Sequence, residues 1–149
     1  MLVPATAEQG AAAFACFFAE EGVFQSPGGI TRGRDAIFAS FRDYAENPGE
    51  TNRNVITRNA YWDAKKATLI VQRTWFATLT EDRDFCGTLL TAGTTYSQDD
   101  VVVVRFACGQ RRNGCILPGE VVYYNEYFNP CQFESNFTND YPAPCERLR

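Results

Sequence analysis

The stretch from Ala67 to Leu79, ATLIVQRTWFATL, has room for little other than a long strand. Successive strand side chains point to opposite sides. Leu69, Val71, Arg73, Trp75 and Ala77 therefore share one face, and Ile70, Gln72, Thr74, Phe76 and Thr78 the other. The first face is apolar apart from Arg73. A guanidinium in such company requires an acceptor, because an unpaired charge in an apolar site is strongly destabilising. A matching acceptor lies in Val121 to Asn129, VVYYNEYFN, where Val122, Tyr124, Glu126 and Phe128 alternate onto one face with a single carboxylate among them. Two such strands predict a lined pocket with an Arg73/Glu126 charge pair inside it.

The elements around these strands follow from periodicity and turn chemistry. Thr6 to Glu21 predicts a first helix, capped by Thr6, with Phe14, Phe17 and Phe18 on a broad apolar face and Gly22 as its stop. Val23 to Gln25 reads as a short extended piece before the turn Ser26-Pro27-Gly28-Gly29. Arg34 to Glu46 predicts a second helix, since Ile37, Phe38, Phe41 and Tyr44 recur at helical spacing, and Asn47-Pro48-Gly49 ends it. From Asn54 the pattern turns to strands. Asn54 to Trp62 forms a hairpin with the long strand through Asp63-Ala64-Lys65-Lys66, followed by strands at Phe85 to Ser97, Val101 to Cys108 and Val121 to Asn129. Asp99-Asp100 reads as a solvated turn rather than a metal pair, and a loop around Pro118 and Gly119 precedes the last strand. Helices first and a mostly antiparallel sheet afterwards predict the α+β class.

Composition excludes several functions. The chain has 149 residues, a net charge of −4 and no dense Lys/Arg cluster, which argues for one domain and against nucleic acid as a partner. No apolar run approaches the roughly eighteen residues of a membrane span. Histidine is absent, so Ser/His and Cys/His couples and histidine-bearing zinc sites are excluded. No cofactor and no metal are expected. The six cysteines have no CxxC spacing and suit a disulfide framework. Cys108 and Cys115 bracket the turn GQRRNG and are expected to pair, with Cys131 or Cys145 tying down the tail. Together with the sequon Asn136-Phe137-Thr138 they point to an extracellular or secretory setting. The domain is expected to span 1–130, with 131–149 a disulfide-tethered tail.

The segments Phe18-Ala19-Glu20-Glu21-Gly22-Val23-Phe24-Gln25-Ser26-Pro27 and Gly33-Arg34-Asp35-Ala36-Ile37, the hairpin into Ala67 to Leu79, and the closing Glu126-Tyr127-Phe128-Asn129 resemble the NTF2-like superfamily in order and spacing. That superfamily includes SnoaL-like polyketide cyclases, ketosteroid isomerases, scytalone dehydratases and limonene-epoxide hydrolase. The resemblance implies helices packed on a curved sheet that closes a cone, and a small apolar ligand inside it. The family has a further helix before the one placed at Thr6, which implies a trimmed or opened cone. Against the epoxide hydrolases, whose Asp-Arg-Asp network activates water, the arginine falls on Arg73 and one aspartate on Glu126. The other aspartate falls on Trp75, which accepts no proton. The water-holding tyrosine and asparagine fall on Phe24 and Ser26. The isomerases' base also falls on Ser26, and the dehydratases' histidines have no counterpart.

These residues support two kinds of function. One is binding of a small lipophilic molecule, with weak catalysis, by a pocket of Phe24, Ser26, Trp75, Tyr124 and Phe128. The alternative is an enzyme of the cyclase, isomerase or epoxide-hydrolase type with Glu126 as acid or base and Arg73 beside it. The same residues also fit blander roles: a structural ion pair for Arg73 and Glu126, core packing for the aromatics, and a turn for Ser26. The outer face with Ile70, Phe76, Tyr123 and Tyr127 is expected to be exposed. It predicts a homodimer, or a non-catalytic module that dimerises there.

Overall fold

The structure is a computed structural model that describes residues 6–46 and 49–135. The sequon, Cys145 and the Asn47-Pro48 pair lie outside the described residues.

Helix α1 (Ala7–Ala15) opens on Thr6, whose hydroxyl accepts the Gln9 amide while the Gln9 side chain accepts the Thr6 amide. This reciprocal capping box satisfies two of the helix's orphan donors. The helix ends well before Gly22, contrary to its apolar periodicity. The carbonyls that would extend it are taken by other elements: Phe17 O accepts the Val121 amide at 2.7 Å, and Phe18 O accepts Arg34 Nε at 2.7 Å. Chain pairing thus starts at Phe18, and β1 (Phe18–Ser26) replaces both the helix's second half and the short piece expected at Val23. Gly22 is needed for close approach, because a Cβ there would lie 2.9 Å from Ala19 O. The register of β1 shifts between Phe18 and Val23, as in a bulge. After β2 (Gly29–Arg32), helix α2 (Arg34–Glu46) has the predicted bounds.

The remaining strands are β3 (Glu50–Asp63), β4 (Thr68–Leu79), the short pair β5 (Arg83–Phe85) and β6 (Thr88–Leu90), β7 (Thr95–Arg111), β8 (Cys115–Tyr127) and β9 (Glu134–Ser135). The main sheet runs in the order β2-β1-β8-β7-β4-β3, with β9 also on β7. Its pairs are antiparallel except β1 with β8. The class is α+β, with two helices on a curled sheet. No helix among the described residues is long and apolar enough to cross a membrane.

Several local expectations change. Phe85 to Ser97 is not one strand, because Cys86 and Gly87 turn the chain back at positive φ between β5 and β6. Asp99 and Asp100 are not a turn. They lie inside β7 and point to opposite faces, Asp99 accepting Thr74 Oγ1 at 2.7 Å and Asp100 pairing with Arg73. Pro118 and Gly119 sit within β8, where repeated register shifts absorb the missing proline N–H. One of these shifts lies between the pairs Arg105/Tyr123 and Phe106/Val121, so Val121 rather than Val122 joins the core. On the outer face Phe76 is 4% exposed, so that end of the sheet is covered rather than open.

The main core lies between the helices and one half of the sheet. Phe18 and Ile37 are fully buried against Val102, Val104 and Val121, with Phe14, Phe41, Leu69 and Val71 packed around them. The inner faces of β4 and β7 thus divide in two. Leu69, Val71, Val102 and Val104 meet the helices, while Arg73, Trp75, Tyr96, Gln98 and Asp100 face a cavity.

Two disulfides are present among the described residues. Cys108 and Cys115 are joined as expected from their spacing, with Cα atoms 5.8 Å apart. Cys131 is joined to Cys86, with Cα atoms 5.3 Å apart, and this ties the segment after β8 to the β5–β6 hairpin. Cys16 is an exposed free thiol.

Candidate functional site

The cavity has a volume of about 560 Å³, within the range of small-molecule sites. Its apolar lining comes from Phe24 on β1, Phe41 on α2, Trp75 on β4, Phe85 on β5, and Phe128 just after β8.

Arg73 projects inward from the middle of β4. Its direct neighbour across the ladder is Asp100, and the guanidinium meets that carboxylate with two hydrogen bonds. Nε donates to Oδ1 at 2.9 Å and Nη2 donates to Oδ2. Nη2 also donates to Glu126 Oε1 at 3.2 Å, and Nη1 to the Tyr124 hydroxyl at 3.2 Å. The expected Arg73/Glu126 pair therefore exists as the weaker arm of a three-residue cluster. The fork-to-fork contact with Asp100 is the stronger geometry. Asp100 is the residue that sequence reasoning missed. Its signal was present, since positions 100, 102, 104 and 106 alternate onto one face, but two adjacent aspartates read as turn chemistry.

The two carboxylates differ in exposure and so in chemistry. Both line the cavity, but the Asp100 side chain is 8% exposed and held on the guanidinium by two hydrogen bonds, whereas Glu126 is 24% exposed and held by one. Burial pushes the Glu126 carboxyl above the usual glutamate range; Arg73 works against this and the Asp100 charge adds to it. For Arg73, burial alone favours the neutral form, but the Asp100 hydrogen bond and the surrounding negative groups outweigh it and hold the charge. Burial also pushes the Tyr124 phenol up to about 12, so it stays protonated. Of the two carboxyls at Arg73, Glu126 is the less tightly held, with one hydrogen bond at 3.2 Å against two for Asp100.

The other expected site residues fall as follows. Phe24, Ser26, Trp75 and Phe128 all line the cavity. Tyr124 is not among the described lining residues; it stacks behind Phe24, with ring centroids 5.4 Å apart, and contacts the cluster through its hydroxyl. Ser26 Oγ accepts the Gly28 amide at 3.2 Å, which is turn chemistry. A second polar group, Glu50 with Tyr44, Arg83 and Tyr96, also lines the cavity. Nothing in the sequence pattern joined its members, which come from four separate elements.

Neither a family model nor a curated protein matches the sequence. Solved structures match its architecture. A computationally designed 17-OHP binder is 12% identical, with 88% of this chain and 89% of that one covered and a TM-score of 0.59. The epoxide hydrolase/cyclase-like enzyme SalBIII, of pyran ring formation in the polyether salinomycin, is 13% identical, covering 83% and 81%, with a TM-score of 0.58. The Δ5-3-ketosteroid isomerase from Mycobacterium sp. is 13% identical, covering 85% and 86%, with a TM-score of 0.56. The chain has the NTF2-like fold. In this NTF2-like cone Trp75 leaves no carboxylate two residues along β4 from Arg73, yet Arg73 still lies between two carboxylates. The second comes from the neighbouring strand, as Asp100.

Proposed function

We propose that the protein binds a small lipophilic molecule bearing an oxygen function in the aromatic cavity, and that Glu126 moves a proton to or from it. Arg73 and Asp100 act as a fixed ion pair that positions Glu126. The observation that carries this reading is the asymmetry of the two carboxylates: Asp100 is locked and almost fully covered, while Glu126 lines open space and has its pKa raised by burial. A carboxyl in a lined cavity whose pKa is raised by burial is suited to general acid/base chemistry. Isomerase-type and cyclase-type reactions on enones, epoxides or polyketide-like compounds fit such a group, and both named enzymes of the same architecture support that range. No cofactor is part of the proposal.

Trp75 supports a second reading, binding without turnover. An aromatic wall stands where the epoxide hydrolases' other carboxylate falls, and a designed binder shares the architecture. Glu126→Gln separates the two, because it keeps the shape and removes the acid. In the catalytic reading the variant folds, binds apolar ligands, and loses turnover by roughly a hundredfold or more. In the binding reading the parent turns over none of these compounds and the variant changes affinity alone.

The setting we propose is extracellular or secretory, in keeping with two disulfides. The assembly we propose is a homodimer through the outer sheet face.

A further inference from the structure

Glu50 carries a buried carboxylate into the same cavity, well away from Glu126. Its side chain is 3% exposed. Oε1 accepts Arg83 Nη1 at 2.6 Å and the Tyr96 hydroxyl at 2.5 Å. Oε2 has a much weaker partner, the Tyr44 hydroxyl at 3.4 Å, which is long for a bond between two oxygens. A carboxylate has about four acceptor positions, so Oε2 retains capacity for a donor. Tyr44 is 44% exposed, with the Arg53 guanidinium 5.1 Å from its ring centroid.

The ladder register separates this cluster from the Arg73 cluster. Tyr96 pairs with Ala77, and Asp100 pairs with Arg73, so the two inward residues are four apart on β7. At about 3.3 Å per residue their backbones lie roughly 13 Å apart. Trp75 and Gln98, themselves paired across the ladder, form the floor between them. The cavity is thus polar at two places with an aromatic floor between. Its charge is one-sided: among the described lining residues the carboxylates Glu50, Asp84, Asp100 and Glu126 outnumber the guanidiniums Arg73 and Arg83. All members of the Glu50 cluster line the cavity.

We propose that Glu50 and Tyr44, held in place by Tyr96 and Arg83, form a second recognition subsite. It takes a hydrogen-bond donor, a hydroxyl or an ammonium, at the far end of an elongated apolar ligand that carries no negative charge. This rests on the reading of the cavity as a ligand site and adds which ligands it selects. A hydroxyl placed there donates to Glu50 Oε2 and accepts from Tyr44, which satisfies both ends of the long contact. An ammonium donates to Oε2 and has nothing to accept from Tyr44. A carboxylate at either end meets the excess of negative charge and is rejected.

Calorimetric titration of the whole chain with four rigid probes tests this: 4-hydroxybiphenyl, 4,4′-dihydroxybiphenyl, 4′-(aminomethyl)biphenyl-4-ol and 4′-hydroxybiphenyl-4-carboxylate. A hydrogen bond to a charged acceptor is expected to tighten the second or third probe about tenfold or more over the first. The carboxylate is expected to bind at least about tenfold more weakly than the first. Tyr44→Phe, at a half-exposed position that leaves the fold intact, then weakens the dihydroxy probe and spares the ammonium. Glu50→Gln removes the preference for both while the monohydroxy probe is held. Equal binding of the first three probes by the parent overturns the subsite, however the variants behave, and leaves the cavity reading standing. Failure of all four to bind overturns both.

Discussion

Arg73 brings one positive charge into an aromatic cavity where two carboxylates compete for it, and Asp100 wins on geometry. Glu126 is left with one longer contact and a carboxyl that burial holds above the usual glutamate range. Such a group binds its proton more tightly in the folded chain than in the unfolded one. Its contribution to stability is fully present below the ordinary glutamate pKa and is lost as pH rises through the folded value. Glu126→Gln does not titrate. Its stability relative to the parent is therefore expected to rise as pH increases above the ordinary glutamate pKa of about 4, checked by urea unfolding at a series of pH values. A flat difference would mean that Glu126 titrates normally. The Arg73/Glu126 pair was legible from alternation alone, since each is the one charge on an otherwise apolar face. Asp100 was not, because local turn propensity and strand alternation conflict there and a cross-strand partner decides between them.

At the scale of elements, the departures from sequence pattern share a cause in long-range pairing. Helix periodicity continues past Phe17, but the carbonyls at Phe17 and Phe18 are claimed by Val121 and Arg34. Helix α2 has no such competitor and keeps the bounds of its local signals, whereas β3 starts at Glu50 rather than Asn54, because Glu50 and Thr51 pair with Leu79 and Thr78 at the end of β4. The Glu50 cluster was invisible because its members meet only after β3, β5, β7 and α2 are assembled. The disulfides differ in what they close: Cys86 and Cys131 are 45 residues apart, and Cys108 and Cys115 are 7 apart. On a chain-entropy view the longer loop contributes about 4 kcal/mol and the shorter about 2 kcal/mol. Paired alanine substitutions at Cys86 and Cys131 are therefore expected to lower Tm more than those at Cys108 and Cys115. They are also expected to weaken binding in the cavity, because Cys86 lines it. Equal losses in the two variants, by thermal unfolding, would contradict this account of the tether.

For the whole molecule, the α+β order was readable from helix signals followed by alternating strands, and the cone from the resemblance to the NTF2-like superfamily. The outer surface was read less well, because residues that alternate outward are not all open. Phe76 is buried, while Tyr61, Ile70 and Tyr127 are 57%, 36% and 53% exposed. Tyr61 and Ile70 are cross-strand partners, and such a patch is more apolar than a solvated face requires. We expect sedimentation at tens of micromolar to give a dimer that Ile70→Lys converts to monomer; a monomeric parent would remove the outer face as an interface. Inside the cone, the central claim is that Glu126, freed by the Arg73–Asp100 pair, is the cavity's proton-carrying group. The most direct measurement is a carbon-13 NMR titration of glutamate-labelled protein, with the Glu126 carboxyl assigned by its loss in Glu126→Gln. The account predicts titration above the ordinary glutamate range in the parent and a lower value in Asp100→Asn, where Arg73 turns to Glu126. Titration of the parent carboxyl at or below the ordinary value would contradict it and make Glu126 a structural counter-ion of Arg73.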